Sequence, residues 1–100
     1  MPTIEQIKKQ VELIAPRYGL TRVSVFGSYA EGNPCKTSDI DLLITFPSRE
    51  KLLKPVTLFT LSELKHDLQD ALNKRVDLVE SKNLKNSYLI IKKEIPVYVA

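Results

Sequence analysis

The sequence predicts an α+β fold, one mixed β-sheet covered by helices, and three observations predict it. Two long segments carry apolar residues at helical spacing, three short runs are dominated by β-branched and aliphatic residues, and a last apolar segment again reads as helical. The resulting order is helix, strand, strand, helix, strand, helix, without a repeat or an interdomain linker, so residues 1–100 are expected to form one domain.

Thr3 followed by Gln6 has the form of a capping box, and Ile4, Ile7, Val11, Ile14 and Tyr18 then recur on one helical face. The first helix is therefore expected over 4–18, with a kink at Pro16 and a stop at Gly19. Arg22 to Phe26 (RVSVF) reads as a strand that turns sharply at Gly27 and Ser28. After the turn chemistry of 33–38, Ile40, Leu42, Ile44 and Phe46 alternate with Asp39, Asp41, Leu43 and Thr45, which predicts a second strand over 40–46 ended by Pro47.

Leu58, Leu61, Leu64, Leu68 and Leu72 mark the apolar face of a second helix ending near Asn73, with Thr60 and Glu63 as a capping box inside its start. Arg75 to Glu80 (RVDLVE) predicts a third strand. Leu84, Tyr88, Ile91 and Ile95 predict a closing helix before Pro96, after which 97–99 can add a short edge strand.

A hydrophobic fraction of 43% with 27% charged residues excludes a disordered chain, and no apolar run is long enough for a bilayer, so no membrane association is expected. The first fifteen residues carry Glu5, Lys8, Lys9 and Glu12 in place of an apolar signal segment, which predicts a cytoplasmic protein. Cys35 is the only cysteine, which rules out an intrachain disulfide and a cysteine-based zinc cluster and leaves a loop thiol. The net charge of +3 is spread along the chain, which suits a nucleotide more than a nucleic-acid strand. His66 sits beside Lys65 and Asp67 in a polar pattern and is expected to be solvated.

Chemistry is carried by the acidic residues. Asp39 and Asp41, two apart on a strand, point to one face with Cα atoms about 6.5–7 Å apart. Two carboxylates so close repel each other unless a cation offsets the charge, and oxygen ligands select Mg²⁺ or Mn²⁺. Asp77, between Val76 and Leu78, is the natural third carboxylate, since a charge in an apolar strand needs a reason. Two metals held by such a set stabilise the attacking and leaving oxygens of a phosphoryl displacement, which points to nucleotidyl transfer. Gly27 allows close backbone approach to a phosphate, Ser28 adds a hydroxyl, and N–H groups of the following turn can face the β- and γ-phosphates of an NTP.

With FGSYAEG at 26–32, SDIDLLI at 38–44 and RVDLV at 75–79, the chain resembles the minimal nucleotidyltransferase (MNT) branch of the DNA polymerase beta superfamily, over about residues 11–98. The resemblance implies a polymerase beta-like palm core, metal binding by Asp39 and Asp41, and a supporting or base-like role for Asp77 near the acceptor hydroxyl. It also implies nucleotide contacts at Gly27, Ser28 and Ser38, ATP as donor and pyrophosphate as product. Tyr29 and Glu31 stand where relatives often carry basic residues.

Small MNT proteins are commonly paired with HEPN proteins as antitoxin and toxin, so the resemblance implies adenylylation of a HEPN partner and a complex with it. Tyr29, Leu52, Leu53 and Phe59 are candidates for that interface if the core does not need them. Two other readings compete: an MNT-fold antitoxin that neutralises its partner by binding alone, and a small-molecule nucleotidyltransferase of the aminoglycoside-modifying kind. A polymerase or tRNA-tailing role is disfavoured because the chain shows no added basic domain or aromatic stacking platform.

Overall fold

A computed structural model describes residues 2–48, 56–82 and 93–100. Helix α1 spans Ile4–Ile14 and starts at the expected capping box, in which the Thr3 hydroxyl accepts from the Gln6 N–H and the Gln6 side chain accepts from the Thr3 N–H. Pro16 does not merely kink this helix. It tightens the chain into a 3₁₀ turn over Ala15–Tyr18, which Gly19 ends in the left-handed region at φ 71°. The buried stripe of α1 is Ile7, Val11 and Ile14, the residues that helical spacing singles out.

Strands β1 (Arg22–Phe26), β2 (Ile40–Thr45), β3 (Val76–Glu80) and β4 (Ile95–Val99) form one mixed sheet in the order β3-β2-β1-β4. β1 pairs antiparallel with β2 and β4, while β2 and β3 run parallel, joined through helix α2 (Leu58–Leu72). A parallel pair needs a crossover of this length, and α2 supplies it. Asn73 ends α2 in the left-handed region at φ 51°.

Three expectations change. The capping box of α2 is Thr57 with Thr60, one turn before the Thr60–Glu63 pair, because Thr57 is the last extended residue and its hydroxyl reaches the Thr60 N–H at 3.3 Å. Leu58 lies outside the buried stripe at 84% exposure, so only Leu64, Leu68 and Leu72 are buried. Ile95 belongs to β4 and not to a helix: it pairs with Val25, and β4 includes Pro96. Proline is tolerated there because β4 is an edge strand. The rest of the expected closing helix, with Leu84, Tyr88 and Ile91, lies outside the described residues.

The core forms where α1 and α2 pack on one face of the sheet, with Val23, Val25, Ile40, Leu42, Ile44, Val76 and Val97 closing on Ile7, Val11, Leu64 and Leu68. Tyr18 ties the 3₁₀ turn after α1 to α2 by donating its hydroxyl to Asp67. None of the described helices is long and apolar enough to cross a membrane.

Candidate active site

Strand β2 sets the site. Its alternation sends Ile40, Leu42 and Ile44, each at 0% exposure, into the helix-covered core, so Asp41 projects from the opposite face. Phe26 at the end of β1 is its antiparallel partner, and Asp77 is its parallel partner on β3. Adjacent strands lie about 4.8 Å apart, which makes the Asp41 and Asp77 carboxylates neighbours across the sheet, with Asp39 one pleat away. Val76, fully buried, anchors β3 and turns Asp77 outward, where it is exposed. Asp77 therefore bears none of the burial cost that an apolar strand suggests.

The acidic row is electrostatically unfavourable on its own. Partial burial pushes the Asp41 carboxyl above the usual carboxylate range, and the charges of Asp77 and then Asp39 push it further. All three groups offer oxygen donors, which fits a hard divalent cation. Among the described residues no three acidic, histidine or cysteine side chains close into a metal cage.

Since folding raises the Asp41 pKa, its contribution is fully present below about pH 4, the unfolded value, and is lost as pH rises through the folded value. Asp41→Asn is expected to raise the thermal midpoint of metal-free protein at neutral pH, by a margin that shrinks toward acid, and to abolish stabilisation by Mg²⁺. Melting curves of both proteins in chelator and in Mg²⁺ check this; a variant less stable than the parent at pH 7 in chelator contradicts it.

The turn after β1 touches the acidic row. At Gly27 (φ 71°) an added Cβ would run into Asp41 Oδ2 and stand 3.1 Å from its Cγ, so the glycine backbone and the carboxylate share one site. Glu31 N–H donates to the Gly27 carbonyl at 3.0 Å and Asn33 N–H to the Ser28 carbonyl at 3.1 Å, which winds 27–33 into a helix-like turn. The N–H groups of Ser28, Tyr29 and Ala30 meet no acceptor among the described residues. Consecutive free donors at the start of such a turn suit an anion.

Tyr29 is buried at 5% exposure among core residues, so it is neither a phosphate contact nor a spare interface residue. Its hydroxyl has no hydrogen-bond partner among the described residues, and burial pushes its pKa up. Glu31 is exposed, leaving no cation on the turn. Ser38 is half-buried, and its hydroxyl accepts from Cys35 N–H at 2.9 Å, while its own N–H donates to the Cys35 carbonyl at 3.0 Å. It shapes the loop that delivers Asp39. The exposed Cys35 thiol, bonded to the Ser38 and Thr37 hydroxyls, is lowered from 9.0 to about 7 by those bonds, Ser38 contributing most.

His66 is an exposed partner of Asp70 at 3.3 Å, as a solvated side chain should be. Phe59 is 82% exposed, while Leu52 and Leu53 lie outside the described residues. Arg75 shows no local motif, yet its position two residues before Asp77 puts it on the same face. Asp77 also lines a cleft of about 620 Å³ between α2 and β3, together with Leu58, Leu61, Lys65, Leu78 and Val79.

A family model described as nucleotidyltransferase domain matches residues 4–98. The chain is 34% identical over 99 residues to a Methanocaldococcus jannaschii protein provisionally named a protein adenylyltransferase, covering 95% of this chain and 93% of the relative. It is 34% identical over 90 residues to the protein adenylyltransferase MntA of Thermococcus cleftensis, covering 86% and 85%. In fold it is similar to a chain of a toxin–antitoxin crystal structure with AMP-PNP, at TM-score 0.69, 22% identity and coverage of 99% and 75%. It is likewise similar to a chain from the complex of an MNT antitoxin with the tri-AMPylated HEPN toxin of Shewanella oneidensis, at TM-score 0.66, 17% identity and coverage of 98% and 74%.

Proposed function

The chain belongs to the nucleotidyltransferase domain family, and from that premise we propose that it transfers AMP from ATP to a hydroxyl group of a HEPN-type partner protein. The observation that carries this reading is the contact between the Gly27 backbone and the Asp41 carboxylate, with Asp77 next in register, because it joins a phosphate-binding turn to a cation-seeking row. The names of relatives supply the acceptor class: MntA is a protein adenylyltransferase, and the Shewanella antitoxin is bound to an AMPylated HEPN toxin.

Roles follow from position across the sheet. The turn at the end of β1, with Gly27, Ser28 and the free N–H groups, holds the β- and γ-phosphates. Asp39, just ahead of β2, and Asp41 on it would hold Mg²⁺ or Mn²⁺, which would supply positive charge to offset that on the reacting phosphate and the leaving oxygen. In-line displacement places the attacking hydroxyl opposite the leaving pyrophosphate, hence on the β3 side, where Asp77 accepts its proton. The acceptor segment approaches along the β3 edge of the sheet, where Asp77 is exposed.

The test is to incubate the purified protein, its HEPN-type partner, Mg²⁺ and ATP labelled at the α-phosphate. Covalent label on the partner is expected; a well-folded complex that stays unlabelled refutes the enzymatic reading. A turn without a basic residue, together with the exposed Leu58 and Phe59, favours as second reading an antitoxin acting by binding alone. On that reading Asp39→Asn still protects cells from the partner; on the enzymatic one it does not.

A further inference from the structure

The phosphate-binding turn carries no lysine or arginine, so protein cations near the reacting phosphate must come from elsewhere. The parallel ladder between β2 and β3 begins at Ile40 and Val76, and the Ile40 N–H donates to the Arg75 carbonyl at 2.9 Å, which extends the pairing one step. Arg75 therefore stands opposite Asp39, and pleat alternation turns its side chain to the face that carries Asp39, Asp41 and Asp77.

Its backbone carbonyl accepts from Ile40, and the residues on either side of it are tied down as well. Beyond the Ile40 bond, the Val76 N–H donates to Gln69 Oε1 of α2 at 3.1 Å, and Lys74 Nζ donates to the Lys36 carbonyl at 2.7 Å, tying this stretch to the loop before Asp39. Yet the Arg75 side chain is exposed, and among the described residues no carboxylate lies within 4 Å of it, despite three on the same face. An anchored backbone carrying an unengaged guanidinium beside an acidic row is poised for an anionic ligand.

We propose that Arg75 is a catalytic residue that donates hydrogen bonds to the non-bridging oxygens of the reacting α-phosphate; this rests on the nucleotidyl-transfer reading above. Leaving group on the β1 side and acceptor on the β3 side put the α-phosphorus over β2, one strand from Arg75 and within the reach of its side chain. As the acceptor oxygen bonds to the α-phosphorus, the bond to the bridging oxygen breaks, pyrophosphate departs with that electron pair, and the acceptor proton passes to Asp77. Arg75 loses no proton; its fixed charge offsets the negative charge on the phosphoryl oxygens as they are crowded.

The experiment measures the affinity of the full chain for Mg²⁺–α,β-methylene-ATP, with Arg75→Met to keep the length of the stem, Arg75→Lys to keep the charge, and Lys9→Ala on the distant α1 as control. Arg75→Met is expected to weaken binding about 10-fold, the loss of one charge-assisted hydrogen bond, and Arg75→Lys by less. Lys9→Ala and the thermal midpoints of all variants stay unchanged. Where transfer to the partner is followed, kcat of Arg75→Met falls about 10²-fold or more. Unchanged affinity in Arg75→Met, with normal binding by the parent protein, overturns the assignment of Arg75 alone. Absence of binding by the parent overturns the assignment together with the nucleotidyl-transfer reading beneath it.

Discussion

Asp39→Asn is expected to lower AMP transfer by about 10³-fold or more while leaving the fold intact. Asp39 is half-buried at the mouth of β2, ahead of the first core residue Ile40, and its carboxylate makes no ion pair or hydrogen bond among the described residues. Nothing that holds the fold is lost with its charge. What is lost is half of the carboxylate pair that holds the cation, and an amide is a poor substitute for a hard divalent ion. Because Asp39 and Asp41 act as a unit, the double variant Asp39→Asn, Asp41→Asn is expected to be little worse than either single one. Initial rates of label transfer with matched melting curves decide the matter; a loss under tenfold for Asp39→Asn contradicts the assignment.

The second large effect is at Gly27, and Gly19 provides its control. Both glycines have φ 71°, so alanine at either costs about 1–2 kcal/mol of backbone strain. At Gly19 the new methyl meets nothing within 4 Å, whereas at Gly27 it meets the Asp41 carboxylate, with Cβ of Asp41 at 3.4 Å. Gly27→Ala is therefore expected to be the less stable of the two and to lose about 10²-fold in transfer by displacing Asp41, while Gly19→Ala keeps its activity. Adding Asp41→Ala to Gly27→Ala should bring its stability close to that of Gly19→Ala, since the collision is then gone. Equal losses of activity in Gly19→Ala and Gly27→Ala contradict a shared site.

Legibility of the fold varied with how local its causes are. The start of α1 was readable because Thr3 and Gln6 satisfy each other within one turn, and the direction of Asp39 and Asp41 was readable because Ile40, Leu42 and Ile44 demand the core. The pairing of β4 with β1, and the parallel run of β3 beside β2, depend on contacts far apart in sequence that no local pattern encodes. Ile95 illustrates the difficulty: its spacing from Ile91 fits a helix, yet its tertiary partner is Val25.

The site was legible as residue types and less so as geometry. The G-S turn and the D-x-D pair could be picked out, but that the Gly27 backbone lies directly against the Asp41 carboxylate shows only in the folded chain. Tyr29 looked like a lost basic contact and is a core side chain, because the turn winds it inward beside Ala30. Arg75 was hidden in plain view, since a charge before a strand is usually a solvated end. Only the register of β3 against β2 shows that it faces Asp39.

The central claim is that the Gly27 turn and the Asp39, Asp41 and Asp77 row form one nucleotidyl-transfer site. It is tested most directly by supplying ATP labelled at either the α- or the γ-phosphate to the protein, its partner and Mg²⁺. Label from the α-position alone on the partner, with pyrophosphate released in equal amount, is the result expected; label from the γ-position on the partner contradicts it.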